Sequence, residues 1–172
     1  MEFFDLIKER FSVRKFLDRA IEKEKIERII ESGHLAPTAC NLQPQKILVI
    51  ESNEAIEALK KCTRCHFDAP LAMLVCYDND RCWTRKYDEK KSGEVDASIV
   101  ATHMMLGAWN EGIGSTWVMH FDPVAMRKEF NIPDELVPVA LLVMGYAADD
   151  AEPKHYHSEY REIDDVVIYN KF

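Results

Sequence analysis

The sequence predicts one domain of mixed α and β structure, with helices packed around a single sheet. Three observations carry this expectation. Helix-periodic and strand-like segments alternate along the chain. The strand-like segments are short, apolar runs suited to burial. The 172 residues contain no internal repeat, low-complexity tract or linker that would divide them.

The elements follow in order. Residues 2–9 form a short helix with Phe3, Phe4 and Ile7 on one side. Residues 22–34 form a second, with Ile26, Ile29 and Ile30 opposite a charged face of Glu22, Lys23, Glu24, Lys25 and Glu27. Pro37 ends it. Residues 46–51 read as a buried strand, and Asn53 as the N-cap of a helix running to Lys61. Residues 71–77, rich in Leu, Met and Val, read as a second buried strand. The longest helix spans residues 94–111. Val95, Ile99, Val100, Met104, Met105, Leu106 and Trp109 make it apolar on most sides, which predicts a central core helix or a subunit interface. Gly112 closes it. Residues 115–119 form a third strand, and Asp122-Pro123 starts a helix ending near Phe130. Residues 138–146 form the last strand. From Ala147 onward the chain is acidic and polar. Ile163, Val166, Val167 and Ile168 give this tail apolar anchors but no core, so it is expected to wrap over another surface, such as a second subunit.

Charge narrows the function. The net charge of -8 repels nucleic acid and anionic membranes, so neither is an expected partner. An anion site must then be a local basic cluster. No apolar run approaches the ~18 residues of a membrane span. Met1-Glu2-Phe3-Phe4-Asp5 lacks the basic region and cleavage site of a signal peptide, so a cytoplasmic location is expected. Five cysteines, an odd number, argue against a disulfide framework.

Several segments could carry chemistry. In Arg10-Phe11-Ser12-Val13-Arg14, polar donors alternate with apolar residues. If the segment is extended, Arg10, Ser12 and Arg14 share one face while Phe11 and Val13 turn to the core. Two guanidinium forks and a hydroxyl suit a phosphate. The alternative is a solvated basic stretch at a helix end, which also suits the helix dipole. Pro37-Thr38-Ala39-Cys40-Asn41-Leu42-Gln43-Pro44 is a shaped loop, because each proline disfavours helix in its predecessor. It exposes Thr38, Asn41 and Gln43, whose mixed donors and acceptors suit a flavin pyrimidine edge as well as an ordinary loop.

Other patterns carry less. Gly112-Ile113-Gly114-Ser115-Thr116-Trp117 has the order helix, turn, strand, the reverse of a dinucleotide fingerprint. Cys62-Thr63-Arg64-Cys65-His66 is at best half a zinc site, so no metal is expected. His103 reads as a core residue within its helix. No Ser-His-Asp order or HExxH supports hydrolysis.

Together these segments resemble the nitroreductase family of FMN-dependent flavoproteins. The matches are RFSVRKF (residues 10–16), APTACNLQPQ (36–45), GIGSTWVMHFD (112–122), VALLVMGYA (139–147) and YREIDDVVIYNKF (160–172), in the family's order. The resemblance implies an α+β sandwich with a central, mainly antiparallel sheet flanked by helices, in an intertwined homodimer with FMN at the interface. It implies that Arg10, Phe11, Ser12 and Arg14 hold the phosphate and ribityl chain, with Arg161 reaching the phosphate from the tail. Pro37, Thr38, Asn41 and Gln43 would approach the flavin from the partner subunit. Val118, Met119 and His120 would lie along the isoalloxazine ring, with a backbone N–H facing N5. Where the family usually has an aromatic after Gln-Pro, this chain has Gln45, and Thr38 replaces a usual serine.

The resemblance further implies a ping-pong oxidoreductase. NADH or NADPH reduces the flavin, and a nitroaromatic, quinone or similar small molecule reoxidises it. Anionic reduced flavin calls for a basic group near N1 and O2, with Arg14 or Lys15 nearest by sequence. No side chain is needed as a general acid or base. The alternatives are a flavin-binding or storage protein without turnover, a family variant performing dehalogenation, flavin breakdown or enoate-type reduction with residues 62–91 as a lid, and a dimeric interaction module without flavin.

Overall fold

The computed structural model describes residues 2–172. Its strands are β1 (Gln45–Ile50), β2 (Leu71–Asp78), β3 (Gly114–Val118) and β4 (Leu136–Gly145). They form one sheet in the order β1-β2-β4-β3, with every neighbouring pair antiparallel. The helices are α1 (Phe3–Glu9), α2 (Lys23–His34), α3 (Asn53–Cys62), α4 (Gly93–Asn110) and α5 (Pro123–Phe130).

Strand alternation divides the core between two faces. Leu71, Met73, Val75, Ala140, Leu142 and Met144 pack on one side with Ile29 of α2 and Ala97, Val100, Ala101 and Met104 of α4. Ala72, Leu74, Cys76, Leu141 and Val143 pack on the other with Leu59 and Cys62 of α3 and Met126 of α5. This is the α+β sandwich expected from the sequence. Central β2 is buried on both faces along residues 71–76, which is why it reads as an unbroken apolar run.

Two local expectations are corrected. Ser52, not Asn53, caps α3, its hydroxyl accepting from the Ala55 amide at 3.2 Å. Strand β4 begins two residues before Pro138 and contains it. Pro138 lacks an N–H, and the register slips there: Val75 faces Ala140 while Cys76 faces Pro138. This bulge lets a proline sit inside a central strand.

Other expectations hold. The Asp122 carboxylate accepts from the Val124 and Ala125 amides at 2.8 and 3.1 Å, with Pro123 in the first turn of α5. Gly112 takes φ +74° after α4, a conformation that costs glycine little.

Several apolar surfaces lack cover within the chain. Helix α1 has no buried residue, and Phe3 and Phe4 are exposed. Val95 on α4 is 54% exposed. Every residue from Ser158 to Phe172 is exposed, including Ile163, Val166, Val167 and Ile168. Among the described residues no helix is long and apolar enough to cross a membrane.

Candidate functional site

Residues 10–16 leave α1 in extended conformation, with Arg10 at φ -60°, ψ 127°. They lie against the outer edge of β3. Ser12 forms a parallel bridge with Ser115, and the Val13 amide donates to the Ser115 carbonyl at 3.0 Å. The Thr116 hydroxyl donates to the Val13 carbonyl. Farther on, Phe16 bridges Ala147, and the Leu17 amide donates to the Tyr146 carbonyl at 2.9 Å. The segment therefore covers an edge that would otherwise expose unpaired backbone groups.

This pairing sets the side chains. Val13 is fully buried against Gly114, where an added Cβ would stand 2.6 Å from its Cγ2. Arg10, Phe11, Ser12 and Arg14 are half-buried. Phe11 packs edge-on against Trp109, with ring centroids 5.3 Å apart. The Arg14 guanidinium donates to the Ser12 carbonyl at 3.0 Å. Among the described residues, neither Arg10 nor Arg14 pairs with a carboxylate. Burial pushes Arg10 below its ordinary value, while nearby Tyr160 pulls it back up. Half-buried cations without counter-ions favour an anion.

The tail is brought only partly to this cluster. His157 lies edge-on to Phe11, ring centroids 6.3 Å apart. Arg161 is exposed and donates to the Asp165 carbonyl at 3.1 Å. Lys15 is exposed and ion-paired with Asp150 at 2.5 Å. This pair ties the segment to the start of the tail.

The loop before β1 is strained. Cys40, Asn41 and Gln43 take φ of 51°, 54° and 50°, in the left-handed region. Non-glycine residues hold such angles only where surroundings enforce them, and such strain clusters at functional sites. Three bonds do so here. The Thr38 carbonyl accepts from the Asn41 amide at 2.9 Å, and the Thr38 hydroxyl from the Gln43 amide at 3.1 Å. The Asp96 carboxylate accepts from the Ala39 amide at 2.9 Å. Thr38 is half-buried, while Pro37, Asn41 and Gln43 are exposed. Gln45, the departure from the aromatic, leaves its buried side-chain oxygen without a hydrogen-bond partner.

Val118, Met119 and His120 lie where β3 ends. Val118 is buried, Met119 is 65% exposed and His120 is exposed. The turn is pinned to the end of α3: the Thr63 hydroxyl donates to the His120 carbonyl at 2.5 Å, and the Asp122 amide to the Cys62 carbonyl at 2.8 Å. Among the described residues the His120 amide donates no backbone hydrogen bond. Beside Met119 opens a cavity of about 390 Å³, lined by Tyr77, Glu94, Phe121, Pro123 and Val137 to Val139.

The sheet register fixes the relative positions. Gln45 faces Tyr77, Tyr77 faces Val137, and Leu141 faces Val118. The strained loop and the Met119 turn therefore share one end of the sheet, at opposite edges. Ser115, with Ser12 beside it, is at the other end, near Gly145. Along β3 the Ser12–Ser115 bridge and Met119 are four residues apart, ~14 Å at ~3.4 Å per residue. The loop is across three strand spacings, ~14 Å at ~4.8 Å each. The chain thus groups Arg10, Ser12 and Arg14 with Val118 to His120 along one edge and sets Pro37 to Gln43 at the diagonal corner.

Sequence reading missed Asp96, Thr63 and Thr116. Asp96 sits in the first turn of α4, where an acid ordinarily signals only dipole compensation. Thr63 and Thr116 carry no motif. His103 is not a core residue: it is half-buried and lines a cavity with Lys90, Lys91, Val95 and Ile99. In the CxxC pair, burial pushes the Cys62 thiol up, the opposite of an activated thiol.

Comparison with known proteins gives a consistent result. The model of the nitroreductase family matches residues 7–75 and 66–146. A protein of Methanothermobacter thermautotrophicus described as an NADH dehydrogenase/NAD(P)H nitroreductase is 29% identical over 87% of this chain and 80% of its own length. The crystal structure of a nitroreductase family protein from Clostridium difficile 630 is 42% identical, covers all of both chains and superposes with a TM-score of 0.94. An FMN-dependent nitroreductase from Clostridium difficile R20291 is 26% identical over 99% of this chain and 100% of its own, with a TM-score of 0.80. With the family model spanning most of its length and the fold shared, this chain belongs to the nitroreductase family.

Proposed function

We propose that this nitroreductase-family NAD(P)H oxidoreductase binds FMN between two copies of the chain. The observation that carries this reading is the pair of half-buried guanidiniums, Arg10 and Arg14, held along the β3 edge without carboxylate partners among the described residues. In a chain of net charge -8, that is a site for a specific anion.

The donor set fits FMN. Arg10, Ser12 and Arg14 would bind the phosphate, and Arg161 would close over it from the tail. Phe11, braced on Trp109, would keep the polar side chains of its neighbours turned outward. Val118, Met119 and His120 would lie along the ring, and the free His120 amide is a donor for a ring nitrogen. Pro37, Thr38, Asn41 and Gln43, at the diagonal corner, would serve the ring of the other copy. The uncovered surfaces of α1, α4 and the tail supply area for that pairing. FMN held there would supply hydride chemistry at its N5 between NADH or NADPH and a nitroaromatic, quinone or similar acceptor. The chain's residues bind, orient and exclude water, and none is required to move a proton.

Purified protein is expected to be yellow, to release FMN on denaturation, and to bleach anaerobically with NADH or NADPH. Addition of a quinone or nitroaromatic restores the colour. Colourless protein that FMN cannot reconstitute overturns the reading. Tight FMN without steady-state NAD(P)H oxidation reduces it to a flavin-binding protein.

A further inference from the structure

Between β2 and α4 the chain forms a projecting hairpin. Thr84 bridges Lys91, the Arg85 amide donates to the Lys90 carbonyl at 2.9 Å, and the Ser92 amide to the Trp83 carbonyl at 2.8 Å. Arg85 and Asp88 form a two-point ion pair across the tip, and Tyr87 there is 97% exposed. The arm is ordered within itself but leaves the sheet at the same end as the strained loop and the Met119 turn. Ser92 is its closing residue.

One buried carboxylate joins this arm to the loop. Asp96 is only 2% exposed. Its Oδ1 accepts from the Ala39 amide at 2.9 Å, and its Oδ2 accepts from the Ser92 hydroxyl at 2.7 Å. One oxygen thus grips the loop at the residue before the left-handed run, and the other grips the base of the arm. Nothing in a helix's first turn requires an acid to be buried this fully, because an exposed one serves the dipole equally. Two charge-assisted bonds to separate segments account for its position.

The geometry points to Asp96 as a positioning residue that couples the arm at 83–92 to the flavin-facing loop at 37–43, so that ordering either one orders the other. This rests on the FMN reading above. Binding at the loop holds Ala39 against Asp96, which keeps the second oxygen aimed at Ser92. Coupling of this kind is reciprocal: an arm held in place favours the loop conformation that binds the cofactor. The loop makes three of its residues left-handed, and the Asp96 bond at Ala39 restrains it from outside.

The test measures amide hydrogen exchange of residues 84–91 with and without FMN, alongside FMN affinity and unfolding of the apoprotein. In the wild type, saturating FMN is expected to slow arm exchange by about fivefold or more. Asp96→Ala should weaken FMN binding by about tenfold and abolish the protection. Asp96→Asn keeps an acceptor for Ala39 and a donor for Ser92, and is expected to restore both. Ser92→Ala cuts only the arm bond: FMN affinity should stay within about threefold while the protection is lost. If Asp96→Ala fails to fold, Ser92→Ala decides alone. Arm protection surviving in Ser92→Ala overturns the coupling. A wild type that takes up no FMN overturns instead the FMN reading, which separates the two failures.

Discussion

Val13 donates its amide to the carbonyl of Ser115, and its side chain fills the space that Gly114 leaves open. That contact turns a charged N-terminal stretch into a cover for the β3 edge, and it fixes the side on which Arg10, Ser12 and Arg14 stand.

The contact makes a reciprocal pair of predictions. Val13→Ala should cost ~2 kcal/mol through lost burial and a cavity. Gly114→Ala should cost ~1–3 kcal/mol by driving a Cβ into Val13. The double variant should be more stable than the sum of the two losses, because the smaller residue 13 makes room. Thermal unfolding measures all three, and strict additivity contradicts the close packing.

Arg14→Ala should weaken FMN retention by ~1.5–3 kcal/mol, about tenfold to a hundredfold. The apoprotein should unfold near the wild-type temperature, since among the described residues Arg14 has no ion pair to lose and its side chain bonds only the Ser12 carbonyl. FMN titration and apoprotein unfolding read the two effects. Equal loss of both would mean the residue is structural.

Gln45 carries a buried oxygen without a partner at the head of β1. Gln45→Leu removes that unmet acceptor at similar length, and should stabilise the protein by ~1 kcal/mol. A lower unfolding temperature would show that the oxygen has a partner in solution.

Acid stability should depend on Glu22. A hydrogen bond from the Tyr146 hydroxyl, its own backbone amide and Arg19 together hold its carboxyl at about 2, below the ordinary 4.5. A depressed carboxyl stabilises fully above the ordinary value and loses that contribution as pH falls toward about 2. Glu22→Gln should therefore flatten the fall in unfolding temperature across this window, and added salt should shrink the difference because the group is exposed. Identical slopes would contradict the assignment.

Much of this was legible in the residues. The apolar runs at 46–51 and 71–77 and the Asp122-Pro123 start carry their signals locally, and each element stands where they point. The motifs carried the family. What escaped depends on partners distant in sequence. Ser52 and Asn53 are both good caps, and only the backbone decides between them. A proline inside β4 is acceptable only because a bulge across from Val75 and Cys76 removes the need for its N–H. Left-handed Cys40 and Gln43 cannot be read from side chains that ordinarily avoid that region. Asp96 sits where an acid ordinarily signals only dipole compensation, and its role depends on partners 57 and four residues away.

In the proposed dimer, each flavin site would draw Arg14 from one chain and Asn41 from the other. Arg14→Ala and Asn41→Asp should each retain little FMN as homodimers; aspartate tolerates the left-handed angle at position 41. Mixed dimers, isolated through a different tag on each variant, then give the direct measurement. If the site spans the chains, both substitutions fall in one site and leave the other intact, so each mixed dimer should regain one tightly bound FMN. If the mixed dimer stays as empty as its parents, Arg14 and Asn41 serve the same site from the same chain, and the account is wrong.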